Sequence, residues 1–180
     1  MKFLIRLFEC IFKWKVEISN EQELADSQVI IAQSFGLQEY DDPGKSNMVL
    51  AKIVKDLHNQ FQLPLVLQWE IADCLPEIFK KNVIREHREK GRYLDTFETV
   101  DQSRNICKQN YWDKAIVVAH PDHIWRVAET AKKMGFITRI ADTKIVPYNS
   151  LSVQSWTRSR IKFLIREIPA RIFYLLHGWI

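Results

Sequence analysis

Between positions 120 and 126 the chain runs His120-Pro121-Asp122-His123-Ile124-Trp125-Arg126, placing two imidazoles, a carboxylate and a guanidinium close together. An imidazole exchanges a proton near neutral pH, and a guanidinium grips phosphate or carboxylate through parallel N–H donors. Upstream, Asp95-Thr96-Phe97-Glu98 supplies two carboxylates and a hydroxyl. The combination suits a small anionic or nucleotide-like ligand. In this reading His123 is general base or ligand partner, Arg126 the anion clamp, and Glu98 the polar anchor for a hydroxyl or amine. Thr96, Asp95, Ser34, Gly36, His120 and Asp122 complete the candidate set. Some of these residues have a plainer use. Asp95 with Glu98 spells a helix capping box, and Asp122 stands where the next helix should be capped.

These residues matter only if the elements around them converge. Val29-Ile30-Ile31-Ala32 reads as a first buried strand and ends in Ser34-Phe35-Gly36. Ser46 is the expected cap of a helix whose apolar face is Leu50, Ile53, Val54, Leu57 and Phe61. A second strand is expected over 64–69, a helix near 71–80, a short strand over 82–85, and a helix from about 96 to 109. Ala115 to Ala119 is the next strand, and the helix after it carries Ile124, Val127, Ala128 and Ala131 on one face. Gly135 caps that helix, Ile137 to Ala141 forms another strand, and Ile145-Val146 is read as pairing beside it. Strands alternating with helices predict an α/β fold, a three-layer Rossmann-like parallel sheet with helices on both faces, plus amphipathic terminal helices. Right-handed crossovers put the strand-to-helix turns on one edge, where open α/β sheets bind ligands. The expected layout is a single domain over 1–180, with a helical extension over 1–25, an α/β core over 26–150 and a C-terminal helix over 151–180.

Composition narrows the classes. With 47% apolar residues the chain can build a core. Cys10, Cys74 and Cys107 fit no zinc spacing and no disulfide framework, so a reducing, cytoplasmic setting is read. Charge is uneven. Residues 151–180 hold Arg158, Arg160, Lys162, Arg166 and Arg171 against Glu167, and residues 1–18 are also basic, while the body is weakly acidic. That distribution argues against nucleic acid, which needs a basic stripe along the body. Arg6, Glu9 and Lys13 interrupt the apolar start, so it is neither a secretory signal nor a span. Leu4, Leu7, Phe8 and Ile11 share a helical face, expected to pack on the body. The alternative is a helix lying on an anionic leaflet, which makes the chain peripheral to the inner membrane and a non-enzymatic accessory protein. Pro169 is expected to kink or break the last helix, which is read as docked on the sheet.

Ala119-His120-Pro121-Asp122 is similar to the opening of the zinc deacetylases acting on N-acetylglucosaminyl-phosphatidylinositol, which makes a zinc hydrolase a third reading through His120, Asp122 and His123. The motif diverges at His123 and Ile124, and no metal site is assigned. A broader likeness runs from 26 to 171. Residues 26–36, Asp95-Thr96-Phe97-Glu98-Thr99, Val118 to Val127 and Arg166-Glu167-Ile168-Pro169-Ala170-Arg171 together resemble the domain family of unknown function 218 (DUF218), which has envelope-related members. The matches fall on Thr96, Glu98, His123 and Arg126. The resemblance implies a Rossmann-like fold, a site built by those four residues, S-adenosylmethionine as a ligand in some members, and a link to cell-envelope processes. It implies no settled reaction.

Overall fold

The computed structural model describes residues 2–180. Its elements are α1 (Lys2–Phe12), α2 (Glu21–Ala25), β1 (Val29–Ala32), α3 (Gly44–Phe61), β2 (Leu65–Gln68), α4 (Trp69–Ala72), β3 (Val83–Ile84), α5 (Thr96–Gln109), β4 (Lys114–Val118), α6 (Ile124–Lys133), β5 (Ile137–Ile140) and α7 (Arg160–Leu176). The five strands form one sheet in the order β3-β2-β1-β4-β5, and every pairing is parallel. This is the α/β, Rossmann-like architecture that the alternation predicts.

The near-continuous apolar strands follow from burial on both faces. Side chains alternate along a strand. Ile30, Ala32, Leu65, Leu67, Ile116 and Val118 therefore join Leu50 and Val54 of α3 in one core. Val29, Ile31, Val66, Ala115 and Val117 face the other way, onto Val100 of α5 and Val127, Ala128 and Ala131 of α6. The order reverses between β1 and β4, whose helices leave toward opposite faces. A crevice opens there at the carboxyl edge. α7 packs beside α1 near this edge.

Several expectations need correction. Ile145-Val146 is a turn and not a strand: the Val146 amide donates to the Thr143 carbonyl, and Pro147 follows with no donor for a ladder. Ser46 does not cap α3. The helix begins at Gly44, whose amide donates to Asp42 Oδ1, while Ser46 Oγ donates to the Pro147 carbonyl at 2.7 Å. The helix expected near 71–80 is only α4 and a 3-10 turn at Glu77–Phe79, separated by Pro76. Pro169 does not break α7. Phe163, Glu167, Arg171 and Tyr174 are buried on one face on both sides of it, so packing carries the helix through. The Ile165 carbonyl, which loses its donor, belongs to a residue facing solvent. Finally, α1 does not bury the expected face: Leu4 and Phe8 are exposed, and Cys10 is the residue turned to the body.

Candidate functional site

A cavity of about 500 Å³ fills the crevice at the switch point. Its floor is Gln33 to Gly36 after β1, with Gln68 from β2. One wall is the stretch from Tyr93 to Thr96 entering α5, and another is His123 and Arg126 of the β4–α6 junction. The far wall is the segment Gln154 to Thr157 together with the inner face of α7, from Phe163 to Tyr174. Of the nine residues singled out from the sequence, Ser34, Gly36, Asp95, Thr96, His123 and Arg126 meet here.

His123, Arg126 and Thr96 form one bonded unit. Arg126 Nη1 donates to Thr96 Oγ1 at 2.9 Å, and His123 Nε2 lies 3.2 Å from the same oxygen. Arg126 Nη2 sits 3.3 Å from His123 Nδ1. A guanidinium can only donate, so Nδ1 accepts and the imidazole proton is assigned to Nε2. Thr96 Oγ1 then receives two N–H groups, which leaves its own hydroxyl proton to donate. Burial and the neighbouring Arg126 charge lower the His123 pKa, keeping the ring neutral. In this arrangement His123 donates to Thr96 and is not poised as its base.

The guanidinium of Arg126 is largely committed. Its Nε and Nη2 donate to the two Glu167 carboxylate oxygens at 2.9 and 2.8 Å, and its face lies over the Tyr174 ring at 4.8 Å. Glu167 also accepts from Arg171 Nε at 3.1 Å, and Arg171 in turn donates to the carbonyls of Lys13 and Asp122. Burial would raise the Glu167 carboxyl, but the Arg126 charge and the hydrogen-bonding groups around it together outweigh burial and hold the group well below the ordinary carboxylate range. Two guanidiniums around one carboxylate leave this buried cluster with one excess positive charge. Tyr174 Oη accepts from the Phe97 amide at 2.9 Å, which fixes α7 against the start of α5.

Three candidates fall outside the cavity. Glu98 does not join His123 and Arg126. Its carboxylate takes Arg88 Nε at 2.7 Å, Arg88 Nη2 at 2.9 Å and the Arg88 amide at 3.0 Å. Hydrogen bonds from Arg88 hold its pKa down at about 2. It anchors the charged loop 85–95 that carries Tyr93 to the rim. Asp95 is the real cap of α5, accepting from the Glu98 amide at 3.0 Å, but Glu98 is drawn to Arg88 and does not reach back. His120 is buried with its ring stacked on Phe35 at 3.8 Å, and desolvation lowers its pKa to about 3. Asp122 does not cap α6. His123 holds the cap position, and the Asp122 carboxylate accepts from Tyr148 Oη at 2.7 Å and Arg160 Nε at 3.2 Å. The side chains of His120, Asp122 and His123 thus diverge. Among the described residues no group of three or more His, Cys, Asp or Glu could hold a metal ion.

The turn after β1 is laced by protein groups. The Ser34 amide donates to Gln68, the Phe35 amide to Asn47, and the Leu37 amide to Ser152. Gly36 has φ +79, and a Cβ there would lie 2.6 Å from Thr157 Oγ1. The residues that sequence reasoning left out of the site include Glu167, Arg166, Trp156, Tyr93 and Tyr174. One signal was available for Glu167: it is the only acid of the last thirty residues and stands four before Arg171. No protein-family model, curated protein or solved structure matches the chain.

Proposed function

We propose that this protein binds a small ligand bearing both a planar ring and an anionic group in the crevice between β1 and β4. The observation that carries the reading is the cavity's combination of groups. Phe35, Tyr93, Trp156, Phe163, Phe173 and Tyr174 supply aromatic surface, and Gln33, Gln68, Gln154 and Thr96 supply polar contacts. Arg166 lies over the Trp156 ring at 4.3 Å and has no ion-pair partner among the described residues. Arg166 therefore takes the clamp role that the sequence suggested for Arg126, whose donors are spent on Glu167 and Thr96. The volume suits a nucleotide-sized molecule, since ligand pockets run from about 300 to 1,000 Å³. The resemblance to DUF218 brings S-adenosylmethionine and cell-envelope processes into the reading. No reaction is assigned.

The test is a thermal-shift screen of nucleotides, S-adenosylmethionine and sugar phosphates, followed by calorimetry on each hit. A ligand that binds only the native state raises the melting midpoint. Arg166→Gln should weaken an anionic ligand about tenfold, the loss expected for one charge-assisted hydrogen bond. Its own melting midpoint should hardly move, because the side chain is exposed. If no compound shifts the midpoint, or Arg166→Gln binds every hit as the parent does, the proposal fails.

A further inference from the structure

We propose that the outward faces of α1 and α7 form a docking surface for an anionic lipid bilayer. The proposal does not depend on the ligand site. α1 has two apolar sides. One, centred on the buried Cys10, is held to the body: Cys10 Sγ lies 3.8 Å from the Arg171 carbonyl, and Arg6 Nη2 pairs with Glu129 of α6 at 2.7 Å. Leu4, Ile5, Phe8 and Phe12 fall together on the opposite side at helical spacing, and each is more than half exposed. Phe8 and Phe12 lie with ring centroids 4.6 Å apart.

α7 repeats the pattern. Its buried face is Phe163, Glu167, Arg171 and Tyr174. Roughly opposite, Ile161, Ile165 and Leu176 are about two-thirds exposed or more, with Ile168 and Ile172 half-buried between them. The two helices pack side by side, and both turn their inner faces to the same body. Each helix therefore leaves its apolar stripe exposed on the side away from the body. Scattered exposed apolar residues are ordinary on a protein surface, whereas contiguous stripes on adjacent helices mark an interaction face.

Charge selects the occupant. The only acid in residues 151–180, Glu167, is buried, whereas Arg158, Arg160 and Lys162 are exposed. Arg160 reaches back to Asp122 and Arg158, ahead of α7, donates to the Ser152 carbonyl, while Lys162 borders the isoleucine stripe. Lys13, paired with Glu9, and Lys15 are exposed at the end of α1. An apolar face bordered by lysine and arginine matches an anionic leaflet, where the stems cover apolar surface and the charged heads meet lipid phosphates. A second copy of the chain packed face to face across a two-fold axis would bring these like charges together. Among the described residues no helix is long and apolar enough to cross a membrane, so the mode is attachment at the interface.

The experiment is co-sedimentation of the full chain with phosphatidylcholine vesicles, with and without phosphatidylserine. Binding should be at least about tenfold stronger with phosphatidylserine and should weaken as salt rises. The double variant Phe8→Glu with Ile165→Glu, and separately Lys162→Glu, should lose binding while keeping the parent's melting midpoint, since all three positions are exposed. Absence of binding to phosphatidylserine vesicles at low salt overturns the proposal. So does sedimentation of the parent as a dimer that the double variant dissociates, because a second copy would then cover the face.

Discussion

At the scale of single residues, the governing feature is one carboxylate serving two guanidiniums. Glu167 neutralises Arg126 bidentately and Arg171 through its Nε, all with little or no solvent contact. Removing one partner of a buried ion pair strands the other charge, a loss of about 3–5 kcal/mol. Glu167→Gln should therefore lower unfolding free energy by about that amount in urea denaturation; an unchanged transition would mean that the two arginines find water. Glu70 gives a second residue-level prediction. It is buried beside Gln68, one carboxylate oxygen has no partner among the described residues, and desolvation raises its pKa from 4.5 to about 7. A carboxyl with a raised folded pKa favours the fold when protonated. Its contribution is complete below about 4.5 and disappears as pH rises through about 7. Glu70→Gln should melt higher than the parent at pH ~8 and alike at pH ~4. Glu98 runs the other way: its pKa is depressed, so its contribution is present above 4.5 and is lost as pH falls toward about 2.

At the scale of elements, positions read from local pattern agree closely with the structure. β1 occupies the expected residues, and α5 runs Thr96–Gln109 as anticipated, because an Asp cap and an apolar period are written within a few residues of each other. The misreadings arise where a distant partner overrides a local rule. Glu98 abandons the capping box for Arg88, Ser46 turns to the Pro147 carbonyl, and Pro169 is carried through by the buried face of α7. Gly36 belongs to this scale too, since it lets the turn after β1 lie against the segment before α7. Gly36→Ala would force a side chain into a left-handed backbone and against Thr157. We expect it to cost at least about 2 kcal/mol in chemical denaturation and to lower ligand affinity at the adjoining cavity. A neutral effect would show that the 149–157 segment yields freely.

At the scale of the whole molecule, the parallel sheet and its reversal between β1 and β4 place the crevice, and α7 closes it. The carboxyl edge would be open without this helix, because Arg166, Glu167 and Tyr174 all come from the last element of the chain. The same helix presents isoleucines outward beside α1. One amphipathic segment thus serves a polar ligand cavity on its inner side and an apolar surface on its outer side. The ligand screen and the vesicle experiment address these two sides separately.

Read alone, the sequence determined the α/β class, most strand and helix positions, and the edge on which Thr96, His123 and Arg126 gather. All of these follow from periodicity and turn chemistry within short windows of chain. The tertiary structure decided which candidates share solvent. It withdrew Glu98 to Arg88 and His120 to Phe35, and it joined Arg126 to Glu167 across 41 positions. Hydrogen-bond partners in a core are chosen by three-dimensional proximity and by the cost of leaving a buried charge unpaired, and neither is recorded in the order of neighbouring residues.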